Sequence, residues 1–242
     1  MQTLIEQVAH GVRQDECKAQ SALFRLLART LEYEVDEAFL ERLRGELQEP
    51  LAESGAPVPQ DMLDGDANEI IANLAVEYTA LFVQPGAISP YASVFETGSM
   101  AQVQCDRATR WYQENGFAFK HRYSGEFPDH VGTMLAFVSA LFEREANALE
   151  QGDEALAEEI RQSRERFLIE EIGGWAPGWA KVAAQAAQHP FYEHMLNLTE
   201  RVLWDELTQI VPPRRMRELT EKNARGPTVI KKDPGFRKAS GL

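Results

Sequence analysis

Two short clusters hold the residues best suited to chemistry in this chain. Ser124-Gly125-Glu126-Phe127-Pro128-Asp129-His130 gathers two carboxylates and an imidazole. At the start of a helix, Glu126 and Asp129 would complement its positive end and receive its free N–H groups. A charged imidazole there opposes the same dipole, so His130 is expected neutral and hydrogen-bonded to a carboxylate. Three roles follow: a polar lock between helices, a polar anchor beside a binding groove, or an acid/base dyad of Asp129 with His130. The second cluster, Ser89-Pro90-Tyr91-Ala92-Ser93-Val94-Phe95, sets two aromatics and two hydroxyls on an expected loop. Aromatics so placed form the lip of a peptide site, where they give large apolar area at little rotamer cost. Alternatively they plug the core beneath the loop.

The dyad has no company. The sequence contains no G-x-x-x-x-G-K-[ST] phosphate loop, no G-x-G-x-x-G, no G-x-S-x-G elbow and no H-E-x-x-H. His189 and His194 are neighbours, but an i, i+5 spacing turns them roughly 140° apart on a helix, and Pro190 intervenes. No metal site is expected, and no catalytic residue is assigned. Cys17 and Cys105 stand far apart without a C-x-x-C, which fits buried, reduced thiols and gives no disulfide framework.

The elements that must position these clusters are helical. Ala22, Leu23, Leu26, Leu27 and Leu31 line one face of a helix over 19–31, and Phe39, Leu40, Leu43 and Leu47 one over 36–47, with Asp36 as N-cap. Pro50, Gly55, Pro57, Pro59 and Gly65 mark a surface loop over 49–66. Helical spacing resumes over 66–83, with Leu74, Tyr78, Leu81 and Phe82, and again over 98–116. The most apolar helix is expected over 129–149, begun by Pro128, whose missing N–H is tolerated in a first turn. Further helices are expected over 153–172, 175–188 and 191–210. No two-residue alternation and no fixed repeat appears, so the expectation is an all-α fold, a single helical bundle of about eight helices.

Composition bounds the function. The chain has 242 residues, 44% hydrophobic and 26% charged, which is ordinary for a globular domain and excludes disorder over most of its length. No apolar run approaches the roughly 20 residues of a membrane span, and the start lacks the basic and apolar regions of an export signal. A cytoplasmic protein without stable membrane insertion is expected. The net charge of −13 disfavours nucleic acid. It divides unevenly: residues 214–242 carry nine basic and three acidic side chains, which leaves residues 1–213 at −19. The expected partition is a helical domain over 1–213 and a flexible, basic tail over 214–242. Paired arginines at Arg214-Arg215 make that tail a candidate occupant of a groove on the acidic body, in cis or in a neighbouring protomer.

Taken together and in order, these blocks resemble the TorD/DmsD/NarJ superfamily of chaperones that mature molybdenum-containing redox enzymes. Tyr78-Thr79-Ala80-Leu81-Phe82 followed by Pro90-Tyr91-Ala92-Ser93-Val94-Phe95 is similar to the family's Y-x-x-L-F … P-Y-x-S-V-Y segment. Glu126-Phe127-Pro128-Asp129-His130-Val131 is similar to its E-P-x-D-H-hydrophobic signature, although Phe127 stands where many members have proline. The likeness spans about residues 17 to 205. It implies a non-enzymatic chaperone that binds the twin-arginine leader and the apo form of a molybdoenzyme subunit and assists molybdenum cofactor insertion. Homodimers, including domain-swapped ones, are also implied. Nucleotide binding has been proposed for the family, but without a phosphate loop no cofactor is expected here. On this resemblance the leader-binding residues are Phe82, Tyr91, Ser93, Phe95, Glu126, Pro128, Asp129 and His130. Asp129→Ala and Tyr91→Ala are expected to weaken leader binding without unfolding the chain. The residues by themselves leave two other readings open, a small helical hydrolase using Asp129 and His130 and a non-catalytic oligomerisation adaptor.

Overall fold

The computed structural model describes residues 2–84, 86–120 and 126–229. Two long helices form its spine, α1 (Gln2–Glu32) and α8 (Val131–Glu150). Cys17, Ser21, Phe24, Ala28 and Leu31 recur on α1 at alternating spacings of four and three, the repeat that keeps one seam facing a partner helix. Gly132, Leu135, Ser139, Phe142 and Ala146 do the same on α8, and both seams are buried. The helices run antiparallel, since Arg13 meets Glu145, Ser21 meets Ser139 and Ala28 meets Gly132. Gly132 is the point of closest approach: a Cβ there would stand 2.5 Å from Glu32 Cγ and 3.0 Å from the Glu32 nitrogen.

Around this pair pack α2 (Glu37–Arg44), α3 (Gln48–Glu53), α4 (Gln60–Asp64) and α5 (Ala67–Tyr78), followed by a π-helical turn over Thr79–Val83. Next come α6 (Ala92–Thr97) and α7 (Val103–Glu114) before α8, then α9 (Glu154–Phe167) with a second π-helical turn over Leu168–Ile172. A hairpin of α10 (Ala176–Ala186) and α11 (Pro190–Ile210) completes the body, and α12 (Pro213–Ala224) comes after it. The all-α class is as expected, with more helices than the eight anticipated. Asp36 and Asp66 cap α2 and α5 by accepting from Phe39 N and Glu69 N. Among the described residues no helix is long and apolar enough to cross a membrane.

Several expectations are corrected. The 49–66 loop holds two short helices, because Pro50 lies in the first turn of α3 and Pro59 caps α4, positions that need no N–H. Leu51 and Met62 anchor them in the core. Gly98 does not begin a helix; at φ 77° it closes α6, and α7 begins at Val103. Helical packing also continues past residue 213. Leu219 is fully buried, and Asn223 donates to Gly173 O and Leu219 O at 2.8 Å while accepting from Gly178 N at 2.7 Å. Gly178 permits that contact, since a Cβ would lie 2.6 Å from Asn223 O. With one buried apolar residue and one buried amide, α12 docks without the stripe that periodicity detects. The paired arginines therefore sit on a docked helix, with Arg215 held by Glu218 at 2.7 Å. Residues 230–242 of the expected tail lie outside the described residues.

Candidate functional site

The two sequence clusters meet through backbone. Tyr91 and His130 form an isolated antiparallel bridge, with Ala92 N donating to Asp129 O at 3.1 Å and Val131 N to Pro90 O at 2.8 Å. This bridge spends two residues in extended conformation, so α8 starts at Val131 and not at Asp129. Pro128 is buried and its carbonyl accepts from Tyr112 Oη at 2.7 Å.

Asp129 is fully buried and serves α6, not α8. One oxygen accepts from Ser93 N at 2.8 Å and the other from the Cys105 thiol at 3.0 Å. The first bond satisfies a free N–H in the opening turn of α6. Burial and the neighbouring Asp129 push the Cys105 thiol up to about 12, so it stays protonated and donates. His130 is the N-cap of α8: its Nδ1 accepts from Gly132 N at 3.1 Å, which leaves the ring proton on Nε2. Burial pulls its pKa down to about 4, so it is neutral as expected. The expected carboxylate partner is replaced by a backbone N–H and by the Tyr91 ring, edge-on at 5.0 Å. Asp129 and His130 are therefore uncoupled, and the hydrolase reading loses its dyad.

The remaining assigned residues divide between core and cavity. Ser93 is fully buried, with its N–H taken by Asp129 and its hydroxyl without a hydrogen-bond partner among the described residues. Phe95 packs into the core against Trp175, ring centres 6.0 Å apart. Glu126 is buried beside a small cavity of about 320 Å³ bordered by Phe117, Thr133 and Phe137, while Ser124 and Gly125 lie outside the described residues. Phe82, Tyr91 and His130 line a different and larger groove of about 930 Å³.

That groove is mixed in character. Its apolar wall comes from α5 (Ile71, Tyr78), the π-helical turn (Phe82, Val83), Pro90-Tyr91, Val94 of α6, and Met100. The π-helical turn sets Phe82 against Tyr78, Trp179 and Tyr192 at ring distances of 5.1 to 6.2 Å. It leaves the next residue, Val83, 65% exposed. Such single-turn π segments recur at functional sites. The charged lining comes from the end of α1 and the turn that follows it, which contribute Glu32, Glu34 and Asp36. Asp36 is paired to Arg29 at 2.7 Å, and Glu34 accepts from the Thr79 hydroxyl at 3.5 Å. No lysine or arginine is among the described lining residues. These three carboxylates were missed by motif reasoning, though the run Glu32-Tyr33-Glu34-Val35-Asp36-Glu37 directly after the first helix carried the signal.

Such a groove can hold a segment that is basic in one part and apolar in the next. Among the described residues no cluster of His, Cys, Asp and Glu could hold a metal ion. His189 instead caps α11 and meets Asp61 at 3.1 Å, and His194 bonds the Pro57 carbonyl. Compared with known proteins, residues 41–181 match a family model described as nitrate reductase delta subunit. No curated protein matches the chain significantly.

Proposed function

The chain belongs to the nitrate reductase delta subunit family, non-catalytic chaperones of molybdoenzyme maturation, and from that premise we propose that its groove binds the client's twin-arginine leader. The observation that carries this reading is an apolar groove whose formally charged lining residues are three carboxylates. A twin-arginine leader presents basic residues followed by an apolar run. The carboxylates complement the first and Phe82, Val83, Tyr91 and Met100 the second. Arginine and carboxylate form charge-assisted, often bidentate hydrogen bonds, which also fix the direction of the bound peptide. By holding leader and apo subunit together, the chaperone would delay export while molybdenum cofactor is inserted into the client. It needs no cofactor of its own for this binding role.

Of the eight residues assigned on resemblance, Tyr91, Phe82 and His130 are proposed to act in the groove, and Glu126, which borders the smaller cavity, is not. Asp129, Ser93, Pro128 and Phe95 are proposed to support it from behind. Asp129→Ala is therefore a poor probe, since it strips two hydrogen bonds from a fully buried carboxylate site. Val83→Lys changes an exposed groove residue without touching the core. Calorimetric titration with a synthetic peptide of paired arginines followed by an apolar run should show affinity lost in this variant, with an unchanged melting temperature. Equal affinity in the two proteins would remove the groove as the leader site.

A further inference from the structure

After α12 the chain returns to α6 and is tied to its end. Thr228 N donates to Phe95 O at 2.8 Å, and the Thr228 hydroxyl donates to Glu96 O at 2.9 Å. Both acceptors are in the last turn of α6, whose carbonyls have no intrahelical donors and need outside ones. Thr228 thus caps α6 from another part of the chain, five residues beyond the buried Asn223 that anchors α12. Val229 comes next, 80% exposed. The helix so capped is itself a groove wall: Val94 lines the cavity, and Gly98 and Met100 line it just beyond the helix end. Thr228 and Val229, the last described residues, therefore stand at the end of a helix that walls the groove.

The segment after Val229 shares the cationic character of a leader. Residues 230–242 carry Lys231, Lys232, Arg237 and Lys238 against Asp233, with Ile230 and Phe236 as bulky apolar groups. Extended, a segment of this length reaches at most about 45 Å, ample to span the groove from an anchor on its wall. We propose that residues 230–242 occupy the groove of their own chain, cationic side chains toward Glu32, Glu34 and Asp36; that this regulates leader capture rests on the reading of the groove as the leader site. A short tether gives an effective concentration of about 1 mM. A segment with only about 100 μM intrinsic affinity would then weaken leader binding about tenfold. Strong leaders displace it, and weakly basic or apolar segments do not.

The test compares the full chain, a chain ended after Val229, and a full chain with Lys231, Lys232, Arg237 and Lys238 replaced by serine. Hydrogen exchange of the free proteins reads occupancy without any leader. Exchange at residues 32–36 and 98–100 should be faster in both altered chains and return to the full-chain rate when a synthetic 230–242 peptide is added at about 1 mM. Fluorescence anisotropy at low salt, with the paired-arginine peptide as probe, should show about tenfold tighter binding after truncation. Identical exchange in the full and truncated chains overturns the proposal, whatever the probe does. Faster exchange with no probe binding supports groove occupancy and removes the leader-site reading instead. A protection that grows with protein concentration means that a second copy supplies the segment, which overturns occupancy in cis.

Discussion

Along α1 stand two groups of carboxylates with opposite fates. Near its beginning, Glu145 of α8 is gripped by Arg13 at 2.9 Å and Arg164 at 3.0 Å, and Arg164 also reaches Glu206 at 3.7 Å. The Arg164 guanidinium lies 3.7 Å over the Phe142 ring, and Glu145, Arg164 and Glu206 are all buried. Burial pushes the Glu206 carboxyl up against the opposing pull of Arg164, and pushes the adjacent Cys17 thiol up to about 12. At the far end of α1, Glu34 is exposed and its hydrogen bond is one long contact to a hydroxyl. Charges satisfied internally hold four helices in register; a charge left facing a groove is available to a partner. One acidic protein therefore contains two electrostatic designs, and they should separate cleanly on mutation.

The largest effect is expected from Arg164→Ala, which leaves Glu206 and one side of Glu145 buried without a cation. Loss of a buried pair in this way costs about 3–5 kcal/mol, read as a lower urea midpoint, while the folded fraction keeps its affinity for the paired-arginine peptide. An affinity loss of its own would break the division between the two ends.

His130 sharpens the division from inside the groove, since it lines the cavity while its buried ring also caps α8. Its folded pKa lies near 4, below the ordinary histidine value of about 6.5. Stability that is present above pH ~6.5 is thus lost as the pH falls toward 4, by up to about 3 kcal/mol. His130→Asn keeps an N-cap acceptor for Gly132 N but cannot titrate. Melting temperatures between pH 7 and pH 4 should fall less steeply in this variant, and equal slopes would show that another group sets the acid sensitivity.

The smallest effect on stability, and a selective one on binding, is expected from Glu34→Lys. An exposed substitution of this kind changes stability by less than about 0.5 kcal/mol, while reversal of a rim charge should weaken the cationic peptide roughly three- to tenfold at low salt and less at high salt. A salt-independent loss would mean that Glu34 acts through shape and not charge.

How much of this was legible depends on the range of the interaction. Asp36 and Asp66 act as caps through bonds spanning three residues, and their roles can be read from local order. Asp129 is a cap too, but for a helix that begins 37 residues earlier, so the neighbouring α8 seemed the natural beneficiary. Ser89–Phe95 looked like one loop because its aromatics and hydroxyls share no helical stripe; its last four residues in fact begin α6, and only Tyr91 and Val94 among its side chains with aromatic or branched apolar groups line the groove. The acidic wall carries no motif, and a carboxylate run after a helix resembles any solvated turn.

By itself the sequence determined the class of the fold, the family, the acid–base imbalance and the two blocks on which the site is built, because helical periodicity and capping are properties of neighbouring residues. Only the tertiary structure decided which carboxylates face the groove and which are buried behind it, and that α12 and Thr228 bring the basic terminus back to α6. Those outcomes depend on contacts between residues far apart in the chain, such as Gly132 against Glu32, Gly178 against Asn223 and Thr228 against Phe95. A single missing Cβ or one backbone hydrogen bond sets each of them, and neither leaves a periodic trace in the sequence.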